Sequence, residues 1–273
     1  MKMSCLPVSF FADILGGKMR VKEWARMGAE LGLDAIDLSI LFVLERSMKA
    51  ATALRRDIQA EGMQVAMLTT YPDFTHPHAA QRHEELAMEL EAVAIAAELG
   101  AELVRVTDGQ AHPETDVEAG VAWAVEGLTR LVETTRDYAP RLVFENHAKP
   151  GVWTYTDFSQ SPEIFLRIAK GTASCDLGIN FDTGNAATFS PDPVALLEEV
   201  MDRVVSVHAS DSALKGGLRH VLLGTGITPF PALFGCLKRS GWDGWICMEE
   251  GSQRGKAGVE AAARFIWDTW EVA

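Results

Sequence analysis

The chain has 273 residues, of which 48% are apolar and 23% charged, with a formal net charge of −13; that is enough to bury a large core and carries no signature of disorder. The acidic excess, without any dense Lys/Arg cluster, argues against a nucleic-acid partner, and no uninterrupted apolar stretch is long enough to span a membrane. Cys5, Cys175, Cys236 and Cys247 form neither a CxxC pair nor an evenly spaced framework, which reads as reduced thiols in a cytoplasmic protein.

Taken in chain order, short apolar runs alternate with amphipathic stretches. The first run is Leu6–Phe11; because Asp13 breaks it and no clean cleavage site follows, the start does not read as a signal peptide. A helix is expected over Val21–Leu31, with Trp24, Met27 and Leu31 on one side and Gly32 as its stop. Ala35–Leu38 and Val65–Thr69 are the next two runs, and a long connection, Thr70–His78, follows the third. His83–Leu99 carries Leu86, Leu90, Val93 and Ala97 on one stripe, with Gly100 as a C-terminal cap. Then come the run Leu103–Thr107, a helix over Val117–Tyr138 closed by Pro140, and the run Leu142–Asn146. Ser161-Pro162-Glu163 marks a helix start, Gly178–Asp182 is a run and Pro191–Val200 a helix. Val204–Ser210 leads into a second long connection, Asp211–Ile227, before the helix Pro229–Arg239, the run Trp245–Glu250 and a last helix over Gly258–Trp270.

The runs are short and lack strict alternation, as strands buried on both faces do. Their repetition with helices predicts a single α/β domain over residues 1–273, a parallel eight-stranded (β/α)₈ TIM barrel. A doubly wound open sheet is the alternative, but Leu15-Gly16-Gly17 after the first run is no GxGxxG.

Four consecutive strands each finish on a side chain able to bind metal: Glu145, Asp182, His208 and Glu249. Strand C-termini converge at one mouth of a barrel, so residues far apart in sequence become neighbours. Three carboxylates and an imidazole suit one divalent ion, Mn²⁺ foremost, with Zn²⁺, Co²⁺ or Mg²⁺ as alternatives. Arg105, inside the run LVRV, reads as a buried ion-pair partner or a substrate contact. His147 lies two positions beyond Glu145 and so on the same strand face. Phe74 and His76, in the connection after the third strand, are candidates for the pocket wall, and the two long connections are expected to flank the mouth.

The motifs LVFEN at 142–146, INFDTGN at 179–185, VVSVHASD at 204–211, LGTGITPFPALFGCLKRSGWDGWICMEE at 223–250 and ELAMELEAVAIAAELGAELVRV at 85–106 resemble those of the xylose-isomerase-like barrels. That superfamily includes sugar isomerases, ketose 3-epimerases, inosose-processing enzymes and apurinic endonucleases, and the resemblance spans nearly the whole chain. It implies that Glu145, Asp182, His208 and Glu249 ligate the metal and that Glu145 and Glu249 are the acid/base pair. Side chains alternate along a strand, so the motif register puts Glu249 at the mouth and Glu250 away from it. Family members place substrate contacts in the connection after the seventh strand, where Arg219 and His220 stand. Asn185 occupies a position that holds histidine in many relatives. Gly151 and Leu214 replace a glutamate and an arginine of ketose 3-epimerases.

The expected activity is an isomerase or epimerase working on a sugar, keto-sugar or cyclitol through a metal-stabilised enediolate. The alternative is a lyase of the 3-dehydroshikimate dehydratase type, which resembles this chain in pairing a strand-four arginine with Glu-x-His on strand five, here Arg105 with Glu145 and His147. An apurinic endonuclease is the remote alternative. Small-molecule carbohydrate or cyclitol is the expected partner, and a homo-oligomer is compatible with the fold.

Overall fold

The computed structural model describes residues 1–149 and 151–273. Eight strands form one parallel sheet: β1 (Lys2–Leu6), β2 (Ile36–Ser39), β3 (Val65–Thr69), β4 (Leu103–Val106), β5 (Arg141–Glu145), β6 (Gly178–Asp182), β7 (Val204–Ala209) and β8 (Trp245–Glu249). They follow the order β1-β8-β7-β6-β5-β4-β3-β2. The seam between β1 and β2 is drawn together by Ser4 Oγ donating to Asp37 Oδ2 at 2.7 Å and by Asp34 N donating to Met3 O at 3.0 Å. The architecture is the expected (β/α)₈ TIM barrel.

The helices are α1 (Phe11–Leu15), α2 (Val21–Glu30), α3 (Met48–Ala60), α4 (Ala79–Leu99), α5 (Val117–Thr135), α6 (Pro162–Gly171), α7 (Thr183–Phe189), α8 (Pro193–Val200), α9 (Phe230–Arg239) and α10 (Gly255–Val272). None among the described residues is long and apolar enough to cross a membrane. Leu38, Val104, Phe144, Phe181 and Ile246 face the helix layer and form the main core. Met67, Leu103, Val143 and Cys247 belong to a separate cluster inside the barrel. Both faces are covered, so the polar residues that alternate with apolar ones in β2, β6 and β7, such as Asp37, Asn180 and Ser206, are buried inside the barrel rather than solvated.

The first strand is displaced from its predicted place. Leu6–Phe11 reads as a run, but β1 covers Lys2–Leu6, residues Val8–Phe10 form a 3₁₀ turn and α1 begins at Phe11. Pro7 has no N–H to give to a ladder, so the strand stops before it. The apolar residues beyond it serve other ends, with Phe10 packing on Trp24 and Val8 and Phe11 facing the mouth.

Phe74 does not line the mouth, contrary to the sequence expectation. It is only 1% exposed and packs under α5, where a Cβ added at Gly127 would lie 2.6 Å from Phe74 Cγ. Gly127→Ala therefore sets helix propensity, about 1 kcal/mol in favour, against overpacking, about 1–3 kcal/mol against. Because the clash is with a ring fixed in the core, we expect net destabilisation, read as a lower denaturant midpoint at unchanged slope; a raised midpoint would show that Phe74 gives way.

Candidate metal centre and substrate cavity

Each of the four strand-end residues reaches the same mouth. Glu145, Asp182 and Glu249 are the last residues of β5, β6 and β8, and His208 pairs in register with Asp182. Ligand atoms of Glu145, Asp182 and His208 all lie within 4.8 Å of one another, and all three residues are fully buried. Glu249 adjoins them through His208, whose Nδ1 is 2.9 Å from Glu145 Oε2 and 3.3 Å from Glu249 Oε1.

Neighbouring groups occupy one oxygen of Glu145 and one of Asp182 and leave the other open. Glu145 Oε2 accepts from Asn180 Nδ2 at 2.7 Å and forms an ion pair with Arg105 Nε at 3.1 Å. The pair is close, although the Arg105 N–H is not aligned for a hydrogen bond. Asp182 Oδ1 accepts from Asn185 N at 2.6 Å and Ser210 Oγ at 2.9 Å. Glu145 Oε1, Asp182 Oδ2 and both ring nitrogens of His208 are buried without a hydrogen-bond partner. Buried polar atoms are rarely left so, and each one unmade costs about 1–3 kcal/mol. Two anionic oxygens and an imidazole converging on one point fit a divalent cation.

The electrostatics follow from that crowding. Burial, then the charges of Glu249 and Glu145, push the Asp182 carboxyl well above its usual range. Burial also works against the Glu145 anion, yet Arg105 and His208 outweigh it and hold that carboxyl below the usual carboxylate range. The His208 imidazolium is disfavoured by burial but stabilised more by Glu145 and Glu249, so its pKa rises to about 9. In the ion-free chain a proton on His208 offsets part of the negative charge.

Beside this cluster opens a cavity of about 420 Å³. Arg105, His147, Asn185, His220 and Glu249 line it, with Leu6, Val8, Phe11 and Leu15 as an apolar wall. His147 Nδ1 faces Asp157 Oδ2 at 3.3 Å, and burial lowers its pKa to about 3, so the ring is neutral. Glu250 points away from the mouth, as alternation requires, and accepts from Ser9 Oγ at 2.5 Å and Ser252 N at 2.9 Å.

Two further expected contacts do not reach the cavity. Arg219 is exposed, because His220 pairs with Ser212 in an isolated bridge and alternation sends the two neighbours to opposite sides. His76 sits outside the mouth, with its ring edge-on to His112 at 4.6 Å and its Nδ1 accepting from His78 N. Sequence reasoning passed over Asn180, although its place two residues before Asp182 on one strand face was a usable signal. It considered Tyr71 only as one of the aromatic residues of the loop after the third strand, missing the Arg105 guanidinium that lies over its ring at 4.8 Å, and it passed over Asp157. These two sit in irregular segments where spacing carries no directional information.

Residues 25–268 match the family described as the xylose isomerase-like TIM barrel. The chain is 21% identical over 272 residues to an inosose dehydratase of Geobacillus thermodenitrificans, covering 91% of this chain and 89% of that protein. Among solved structures, the IOLI protein, which carries a zinc atom, superposes with a TM-score of 0.82 at 15% identity over 100% of this chain and 99% of that one. A D-tagatose 3-epimerase-like protein gives 0.80 at 21% identity over 100% and 98%. At these identities the structural likeness establishes the fold.

A cation can take the imidazole lone pair only after the His208 proton leaves. Below about pH 9 metal binding should therefore release at least one proton, with affinity rising about tenfold per pH unit for each proton released. The stability that His208 contributes has the opposite course. Its pKa is raised on folding, so that contribution is full below its unfolded value, about 6.5, and fades as pH rises through about 9. Calorimetric Mn²⁺ or Zn²⁺ titrations in two buffers of different ionisation heat measure the release; none at pH 7.5 would show that His208 is already neutral before the ion binds or does not ligate it.

Proposed function

The chain belongs to the xylose isomerase-like TIM barrel family, and on that premise we propose that it is a divalent-metal-dependent lyase that removes water from a polyhydroxylated ring ketone, a keto-cyclitol or cyclic keto-sugar. The observation that carries this reading is the inequality of the two glutamates. Glu145 is fully buried and held as an anion by Arg105 and Asn180, which makes it a poor proton acceptor. Glu249 borders the cavity. Epimerisation with two glutamates needs a working acid/base group on each face of the reacting carbon; this mouth offers one such carboxylate.

Glu145, Asp182 and His208, with Glu249 beside them, would hold the ion, which when bound polarises a substrate carbonyl and offsets the charge that develops on its oxygen. Glu249 takes the proton from the carbon next to that carbonyl. The electron pair left behind becomes the new C=C bond as the neighbouring C–O bond breaks. The departing hydroxide recovers the proton from Glu249, so water leaves and the carboxylate is restored. Neutral His147, oriented by Asp157, and Asn185 and His220 supply hydrogen bonds that orient ring hydroxyls. The apolar wall of Leu6, Val8 and Phe11 packs on the ring and excludes bulk water. The dehydratase name of the relative that covers nearly the whole chain supports the same reading.

The test is incubation of Mn²⁺-loaded protein with keto-inositols, cyclic keto-sugars and 3-dehydroshikimate in D₂O. The expected product is lighter by one water. Glu249→Gln should lower kcat by about 10²–10⁴-fold with metal still bound. A product of unchanged mass with one inverted centre would establish an epimerase instead, and near-normal turnover by metal-loaded Glu249→Gln would remove Glu249 from the proton transfer.

A further inference from the structure

A second cavity, of about 210 Å³, adjoins the first; Leu41, Tyr71 and Val152 line both. One side of it is a face of α4, where Glu85, Met88, Glu89 and Ala92 recur at helical spacing. Trp153 supplies another wall, and Arg46 stands exposed at the rim.

The carboxylates here are poorly satisfied. Glu89 is only 5% exposed; its Oε1 accepts from Thr70 Oγ1 at 2.5 Å, and among the described residues its other oxygen has no hydrogen-bond partner. Among the described residues Glu85 accepts only from Asp73 N, at 3.2 Å. The open oxygen of Glu89 and the half-buried Glu85 line the cavity, where a ligand hydroxyl can meet them. Nothing in the chemistry assigned to the first cavity uses either residue.

The walls are held in place by one network. Asp73 accepts from Gln110 N at 3.0 Å and Gln110 Nε2 at 2.8 Å. Gln110 Oε1 in turn accepts from Thr154 N at 2.9 Å and Tyr155 N at 3.1 Å. The segment that carries Trp153 is thereby tied to the same loop that binds Glu85. Acceptors beside an indole suit a ring with hydroxyls on its edge and C–H bonds on its face.

We propose that this cavity is a subsite for a second polyhydroxylated ring, so that the substrate is a glycoside or similarly ring-extended ketone whose reacting ring lies by Glu249 while the second passes Tyr71 to sit between Glu89 and Trp153. The identity of the reacting ring rests on the lyase reading above; the binding of the second ring does not.

Met88 is 44% exposed, so Met88→Trp fills the cavity from a helix surface without disturbing the core. The probes are cellobiose and glucose, titrated against metal-loaded protein and followed by saturation-transfer NMR. Cellobiose should bind about tenfold or more tighter than glucose. Met88→Trp should abolish that advantage, Glu89→Gln should reduce it, and Met88→Trp should leave dehydration of single-ring ketones unchanged. Equal affinities in the wild-type protein, or an advantage that survives Met88→Trp, would overturn the subsite. If no ring ketone loses water but the cellobiose advantage disappears in Met88→Trp, the lyase reading fails and the subsite stands. If single-ring ketones are dehydrated and cellobiose shows no preference, the subsite fails and the lyase reading stands.

Discussion

The contact on which the rest of the mouth depends is the ion pair between Arg105 and Glu145, with Nε and Oε2 3.1 Å apart and both side chains almost wholly buried. Two charges taken out of water cost several kcal/mol each, and their mutual attraction offsets this only when their remaining hydrogen-bonding groups are satisfied. Arg105 Nη1 donates to Thr70 O at 2.8 Å and the guanidinium lies over Tyr71. Glu145 leans on Asn180, which is fixed from behind by Ser206 Oγ donating to Asn180 Oδ1 at 2.7 Å. The pair and its supports thus link β4, β5, β6 and β7 with the segment that follows β3. They also hold the Glu145 carboxyl in its anionic form.

The same supports hold together an arrangement that is otherwise unfavourable. Glu145, Asp182 and His208 are brought together inside a barrel with lone pairs left open. Ser210 and Asn185 restrain Asp182 by one oxygen, as Asn180 restrains Glu145, so the open atoms are aimed before any ion arrives. The chain bears the cost of holding like charges close, and a cation relieves it.

Much of this was legible in the sequence because the barrel imposes it. Parallel strands with helical crossovers have their C-termini at one end, so acids and a histidine at four successive strand ends had to meet. Legibility failed where the chain leaves regular structure. Leu6–Phe11 reads as a strand until Pro7 is considered as a missing donor. α3, in which Met48, Leu54 and Ile58 are the only large apolar residues, and α7, built from small residues, present too few large apolar side chains to stand out. Phe74 and His76 are two residues apart in one loop, yet one is core and the other half-exposed outside the mouth. The partnership of His147 with Asp157 depends on how residues between them fold back, which no period in the sequence encodes.

The alternation on β8 has a bearing on how reliably this chain finds its fold. Glu249 and Glu250 are chemically identical, so neither can tell the strand which of them belongs at the mouth. The residues just before them can. Cys247 lies in the small cluster inside the barrel and Met248 in the larger layer beneath the helices. A slip of one position would force the longer methionine into the place of the thiol and bury Glu249 among apolar neighbours; the opposite slip would put methionine at the mouth. The proofreading of the strand's alignment is thus done by an unequal pair of sulfur-bearing side chains. The side on which each carboxylate emerges is set by packing volume one step below it.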